Sequence, residues 1–195
     1  MEQKMRCLSC HELSIHTFCK LCKDKLLKPS VTTRRFNTLE VYSFFKYQNI
    51  EDLLLTKHTP QGFNVYKSLA RLSFKPFIKE FMENDERQLS VVGIDENVRS
   101  GYSHVALLTN EMRHKNIQVQ HAKLMAKNKI NYSGQSLQFR LEHPREFVYT
   151  GLKNIEVILV DDIVTTGTTL KEAKEVLAKS GVEVLFALTL ADVKV

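Results

Sequence analysis

Two adjacent carboxylates, Asp161 and Asp162, follow the apolar run Val157-Ile158-Leu159-Val160 and precede Ile163-Val164-Thr165-Thr166-Gly167-Thr168-Thr169. The apolar run reads as a buried strand that the carboxylates stop, with a hydroxyl-rich turn leading into a helix. Carboxylates at a strand's carboxyl end stand where open α/β sheets bind ligands. The turn can aim backbone N–H groups and threonine hydroxyls at one point, the N-terminus of the following helix, which suits a phosphate. Asp161 and Asp162 would repel a nucleotide's phosphate chain but suit sugar hydroxyls and Mg2+. The ligand this implies is a sugar phosphate held at both ends. An ordinary strand–turn–helix, with Gly167 serving only a tight turn, is the plainer alternative. Neither a G-x-x-x-x-G-K-[ST] loop nor a G-x-G-x-x-G loop occurs in the chain.

A second chemical signal lies at the other end. All four cysteines fall within the first 22 residues, as Cys7-x2-Cys10 and Cys19-x2-Cys22. In a chain that does not look secreted, doubled C-x-x-C spacing reads as a metal site. Two knuckles presenting two thiolates each complete a tetrahedral four-cysteine zinc site, closed to substrate and therefore structural. Two disulfides or a redox pair are the competing readings, and His11 or His16 could stand in for one ligand. So short a segment cannot bury a core of its own, which leaves metal binding to supply most of its folding energy.

The elements that must position these groups can be read from pattern. The 195 residues, 43% hydrophobic and 26% charged, allow one sizeable α/β domain with a small appendage. The expected boundaries are residues 1–30 for a zinc finger and 31–195 for the main domain. A short helix is expected over 23–27, a hairpin over 31–47 turning at Asn37-Thr38, and a short helix over 51–56. Helical spacing over 63–83 is expected to break at Pro76. A strand follows at 89–94, a helix at 103–114 and a further strand at 117–120. Residues 123–144 read as an exposed segment with one short helix over 135–141, and 147–149 as a short strand. The motif strand at 155–160, a helix at 168–179 capped by Gly181, and a last strand at 182–190 complete the pattern. Strands alternating with helices imply a parallel sheet covered on both faces.

The net charge is +6, which makes polyanion binding plausible. Basic residues gather at Lys123, Lys127 and Lys129, with Tyr132 nearby and Arg140 and Arg145 further on. Such a groove could pair phosphates and stack bases of a single strand, although a solvated lysine-rich loop is the simpler reading. No apolar run approaches the roughly 20 residues needed to span a bilayer. The N-terminus leads into cysteines rather than an apolar signal core, so the expected location is the cytoplasm.

The run from Val157 to Leu170 resembles the phosphoribosyl-pyrophosphate (PRPP) loop of type I phosphoribosyltransferases: apolar strand, acidic pair, then a Thr-Thr-Gly-x-Thr turn. The resemblance implies that Asp161 and Asp162 hold the ribose hydroxyls, that Thr165, Thr166, Gly167, Thr168 and Thr169 hold the 5′-phosphate, and that Mg2+ accompanies PRPP. Combined with the four-cysteine finger, the chain resembles the ComF family of competence proteins. That family commonly carries Arg-Gly-Phe-Asn-Gln for the pyrophosphate end. Here Ser100-Gly101-Tyr102-Ser103-His104 follows Arg99, which could replace the missing arginine. Gln135, Leu137, Arg140, His143 and Phe147 loosely match a further family segment, and Lys57, before Gly62, resembles a family lysine.

The resemblance implies an open parallel sheet of the type I phosphoribosyltransferase kind. It also implies a part in natural transformation, with imported single-stranded DNA as partner and other competence proteins as possible partners. The expected function is therefore DNA handling by a protein that keeps a PRPP-binding domain. The alternative is an active phosphoribosyltransferase acting on a nucleobase or another acceptor.

Overall fold

The computed structural model describes residues 6–95, 101–128 and 137–194. Seven strands form one sheet in the order β1-β2-β7-β6-β3-β4-β5. β1 (Thr32–Phe36) and β2 (Leu39–Lys46) make the expected hairpin, turning at Asn37 and Thr38, and Asn37 takes a φ of 57°. β2, β7 (Val182–Asp192), β6 (Ile155–Val164), β3 (Leu89–Asp95) and β4 (Ile117–Ala126) run parallel. The outer strands β1 and β5 (Phe147–Tyr149) pair antiparallel to their neighbours. The fold class is thus α/β, with an open, mostly parallel sheet.

Helices cover both faces. On one side, α1 (Tyr47–Leu54), α2 (Pro60–Leu72), α3 (Phe74–Glu83) and α4 (His104–Asn110) bury Ile50, Leu69, Phe74 and Leu108 in one hydrophobic cluster. On the other, α6 (Thr168–Lys179) buries Leu170, Ala173 and Leu177 against Val157, Leu159 and Val184. α5 (Leu137–Glu142) follows β4. The central strands are apolar on both sides, as a doubly covered sheet requires. All seven residues of β3 are buried.

Several boundaries differ from expectation. The long helical pattern breaks at Ser73, three residues before Pro76. A proline is harmless in the first turn of a helix, where its missing N–H had no partner to reach, so the break falls upstream of it. Lys123 and the residues to Ala126 belong to β4 and not to a loop. The motif strand does not stop at the aspartates: it continues through Ile163 and Val164, paired with Ala191 and Asp192 of β7. Among the described residues no helix is long and apolar enough to cross a membrane.

The N-terminal segment shares the domain's core. Cys7, Phe18, Cys22 and Leu27 lie in the same buried cluster as Phe44 and Phe74. A π-helical turn, Cys22–Leu26, and the bond from Ser30 N–H to the carbonyl of Phe44 lead from it into the hairpin.

Candidate functional site: the carboxyl ends of β3 and β6

β3 and β6 are neighbours, but their connections leave in opposite directions. From β3 the chain passes through α4 to β4, and from β6 through α6 to β7 on the opposite face. The crevice beyond their carboxyl ends is a topological switch point, the place where an open α/β sheet exposes loop backbone and helix N-termini to a ligand. Asp95 ends β3, while Asp161 and Asp162 lie near the end of β6.

The turn after β6 leaves backbone donors without side-chain caps. Gly167 has a φ of 72°, a left-handed conformation that an L side chain adopts at a cost, and α6 starts immediately after it. Glycine supplies no side-chain cap, and no cap hydrogen bond is made. The first N–H groups of α6 therefore face outward at the positive end of a twelve-residue helix. The hydroxyls of Thr166 and Thr168 lie 2.9 Å apart and add two further groups at the same place.

The two aspartates differ in setting. Asp161 is half-buried and accepts the N–H of Asp162 at 2.9 Å. Asp162 is only 7% exposed, and one of its oxygens, Oδ2, meets three groups. Lys57 Nζ lies 3.4 Å away, His104 Nε2 3.3 Å and the hydroxyl of Tyr66 3.5 Å. Burial alone would raise its pKa, but the Lys57 ammonium, followed by His104, holds the carboxyl well below the usual carboxylate range. Tyr66 is pushed the other way, first by burial and then by the Asp162 charge. The cluster gathers a 3-10 turn (Leu55–His58), α2, α4 and β6 on one carboxylate, so side chains from four elements are fixed at the crevice.

On the β3 side, Asp95 accepts from the Ser103 hydroxyl at 2.8 Å and from the Ala122 N–H at 2.9 Å. Ser103 also caps α4 by accepting from Ala106 N–H. Tyr102 donates to the carbonyl of Thr59 at 2.9 Å and stands edge-on to Phe63, which ties the β3–α4 connection to the start of α2. Arg99 and Lys129, and the side chain of Arg140, lie outside the described residues. Lys123 and Lys127 are exposed.

The structure thus brings Asp161, Asp162 and the Thr165–Thr169 turn to one end of the sheet. Tyr66 and Arg34 carried no signal in the sequence; they meet β6 or the turn across separations of 96 and 131 residues. His104 stood out only as the end of an altered loop.

At the N-terminus the four cysteine sulfurs lie within 4.8 Å of one another, and among the described residues this metal-capable group consists of cysteines alone. Tetrahedral coordination at 2.3 Å spaces sulfurs roughly 3.8 Å apart, and Cys10 and Cys19 are 3.7 Å apart. Backbone N–H groups of Cys19 and Cys22 donate to the sulfurs of Cys7 and Cys19. Burial works to raise the Cys7 thiol, but the N–H groups of Cys10, Cys19 and Ser9 bring it down to about 6. Burial and the neighbouring thiols push Cys22 up to about 12. Four thiolates this close need a cation, and the donor set fits zinc.

Residues 148–194 match a family model described as the phosphoribosyl transferase domain. The matched segment holds β6, the glycine turn, α6 and β7. No curated protein matches the chain. Among solved structures, the chain is similar to a hypoxanthine phosphoribosyltransferase from Staphylococcus aureus, at 19% identity and a TM-score of 0.41, over 65% of this chain and 62% of that one. It is also similar to adenine phosphoribosyltransferase from Saccharomyces cerevisiae, at 15% identity and 0.45, over 89% and 90%. Orotate phosphoribosyltransferase from Mycobacterium tuberculosis gives 15% and 0.41, over 88% and 82%. The chain therefore spans less than two thirds of the length of the staphylococcal enzyme.

Proposed function

We propose that this protein binds PRPP at the carboxyl end of β6 and uses it as a phosphoribosyl donor. The observation that carries the reading is the uncapped N-terminus of α6 behind Gly167, placed on the same strand end as Asp161. The 5′-phosphate rests on the N–H groups and hydroxyls of Thr165 to Thr169, and Asp161 and Asp162 address the ribose hydroxyls. Asp161, the more open of the two carboxylates, would hold Mg2+, which would supply charge neutralisation at the diphosphate. Lys57 and His104, both held by Asp162, supply positive charge or hydrogen-bond donors beside the sugar.

In the transfer, an acceptor's lone pair forms the new bond to C1 of the ribose. The bond from C1 to the diphosphate oxygen breaks, and its electron pair leaves with pyrophosphate. Charge develops on both fragments, so fixed dipoles and cations at the site lower the barrier. The test is calorimetric titration with PRPP and Mg2+, followed by pyrophosphate release in the presence of each nucleobase. Binding that disappears in Asp161→Asn with Thr166→Val supports the reading. A wild-type protein that shows no PRPP binding refutes it.

A second reading, the handling of imported single-stranded DNA by a competence protein, rests on Lys123 and Lys127. They lie four residues apart, Lys123 in β4 and Lys127 just past its end, and both are exposed. Charge reversal at both positions should reduce single-strand affinity and flatten its dependence on salt. An affinity indifferent to salt removes this reading.

A further inference from the structure

The PRPP reading assigns the turn after β6 to the phosphate but does not say what holds that turn in shape. The β1–β2 hairpin, far from it in sequence, touches it at several points. Arg34 Nη1 donates to the carbonyl of Thr165 at 3.1 Å and to Asp192 Oδ1 at 2.7 Å. Asp192, at the end of β7, has a side chain only 1% exposed. The backbone N–H of Lys194 donates to the same oxygen, and that of Val193 donates to the carbonyl of Val164. The second oxygen, Asp192 Oδ2, is buried without a hydrogen-bond partner among the described residues. Among the described residues Arg34 is the ion-pair partner of that carboxylate.

Two positions along β1, Phe36 closes the turn from outside. A Cβ built on Gly167 would lie 2.5 Å from the Phe36 ring. The ring is flanked by two cations, the Arg34 guanidinium at 4.6 Å and Lys171 Nζ at 5.8 Å. Lys174 of α6 also donates to the hydroxyl and carbonyl of Thr38 in the hairpin turn.

We propose that Arg34 and Phe36 are positioning residues for the phosphate turn, setting the direction of the Thr166 N–H that meets the anion. In a planar trans peptide the C=O and the next N–H point in opposite directions. Arg34 draws the Thr165 carbonyl outward, so the Thr166 N–H is turned to the opposite side of that peptide. Phe36 keeps the Gly167 peptide from relaxing away from this arrangement. Neither residue touches the ligand. The inference rests on the ribose-phosphate reading and adds to it the device that preorganises the donors.

The test titrates the full-length protein with ribose 5-phosphate, recording affinity, melting temperature and the amide resonance of Thr166. Removing Arg34 alone strands the buried Asp192 charge, so the pair is removed together as Arg34→Met with Asp192→Leu, a replacement that buried ion pairs often tolerate. Phe36→Leu is the second variant and removes no charged group. The expected result is roughly tenfold weaker binding and a smaller ligand-induced shift at Thr166, with the melting temperature of Phe36→Leu near that of wild type. A Phe36→Leu protein with wild-type affinity and an undiminished Thr166 shift overturns the proposal, as does affinity lost only in step with stability. If the wild type binds but the variants match it, only the positioning role falls. A wild type that does not bind ribose 5-phosphate overturns the function and this inference together.

Discussion

Asp162 shows how far a residue's role departs from its neighbours in the chain. As one of two adjacent aspartates it is expected to end a strand, yet it is buried within β6 because Lys57, His104 and Tyr66 converge on it. Those partners come from other elements, one of them 105 residues away, so no local pattern announces them. The sign of its effect on stability follows from its low pKa. A carboxylate whose folded pKa is depressed stabilises the fold above its unfolded pKa, near 4, and loses that contribution as pH falls toward the folded value. Asp162→Asn should lose roughly 2 kcal/mol at pH 7, because the partly exposed Lys57 ammonium is left without its countercharge. The variant should also lose less than wild type between pH 5 and about 3. Urea unfolding at the two pH values measures both quantities, and equal pH dependence in the two proteins would contradict the assigned pairing.

At the scale of elements, legibility followed punctuation. α6 spans the residues expected of it because glycines bracket it: Gly167 before it and Gly181, with a φ of 77°, after it. The hairpin was legible for a similar reason, its turn falling on Asn37 in a left-handed conformation. β4 was read too short because Lys123 and Lys127 suggest a loop. As the next-to-last strand of the sheet it leaves much of one side open, which lets such residues stay in water while Leu124 is buried. The turn between β6 and α6 was recognisable from its residue types, but its shape depends on the hairpin. Gly167→Ala tests that dependence. The left-handed backbone costs an alanine about 1–2 kcal/mol, and the new methyl also meets the Phe36 ring. We expect a lower melting temperature and weakened ribose 5-phosphate binding. Introduced into a Phe36→Ala background, Gly167→Ala should cost less than it does in the wild type, by the part due to the ring and not by the backbone part. If Gly167→Ala costs the same in both backgrounds, the ring contact is not what resists the methyl.

At the scale of the whole molecule, the decisive fact about the four-cysteine segment is where its apolar residues go. A self-contained finger would bury its few hydrophobic groups around its own metal. Here Phe18 and Leu27 join Cys7 and Cys22 in the cluster that also holds Phe44, Phe74 and Ile158 of the main domain. Releasing the metal would leave four crowded thiols, among them Cys22, which burial already disfavours as a thiolate. The segment would then let go of the sheet face it covers. Fully exposing Phe18 and Leu27 costs about 2 kcal/mol each. For a chain of this size each kcal/mol moves the melting temperature by roughly 2–4 °C. Chelation should therefore lower the melting of the entire domain by around 10 °C, in a single cooperative transition seen alike by calorimetry and far-ultraviolet dichroism. Zinc should restore it, and Cys10→Ser should reproduce the loss without a chelator. A two-step melt, with the main domain unfolding at its original temperature after the metal is gone, would mean that the segment is a separable finger and that its packing against the core contributes little.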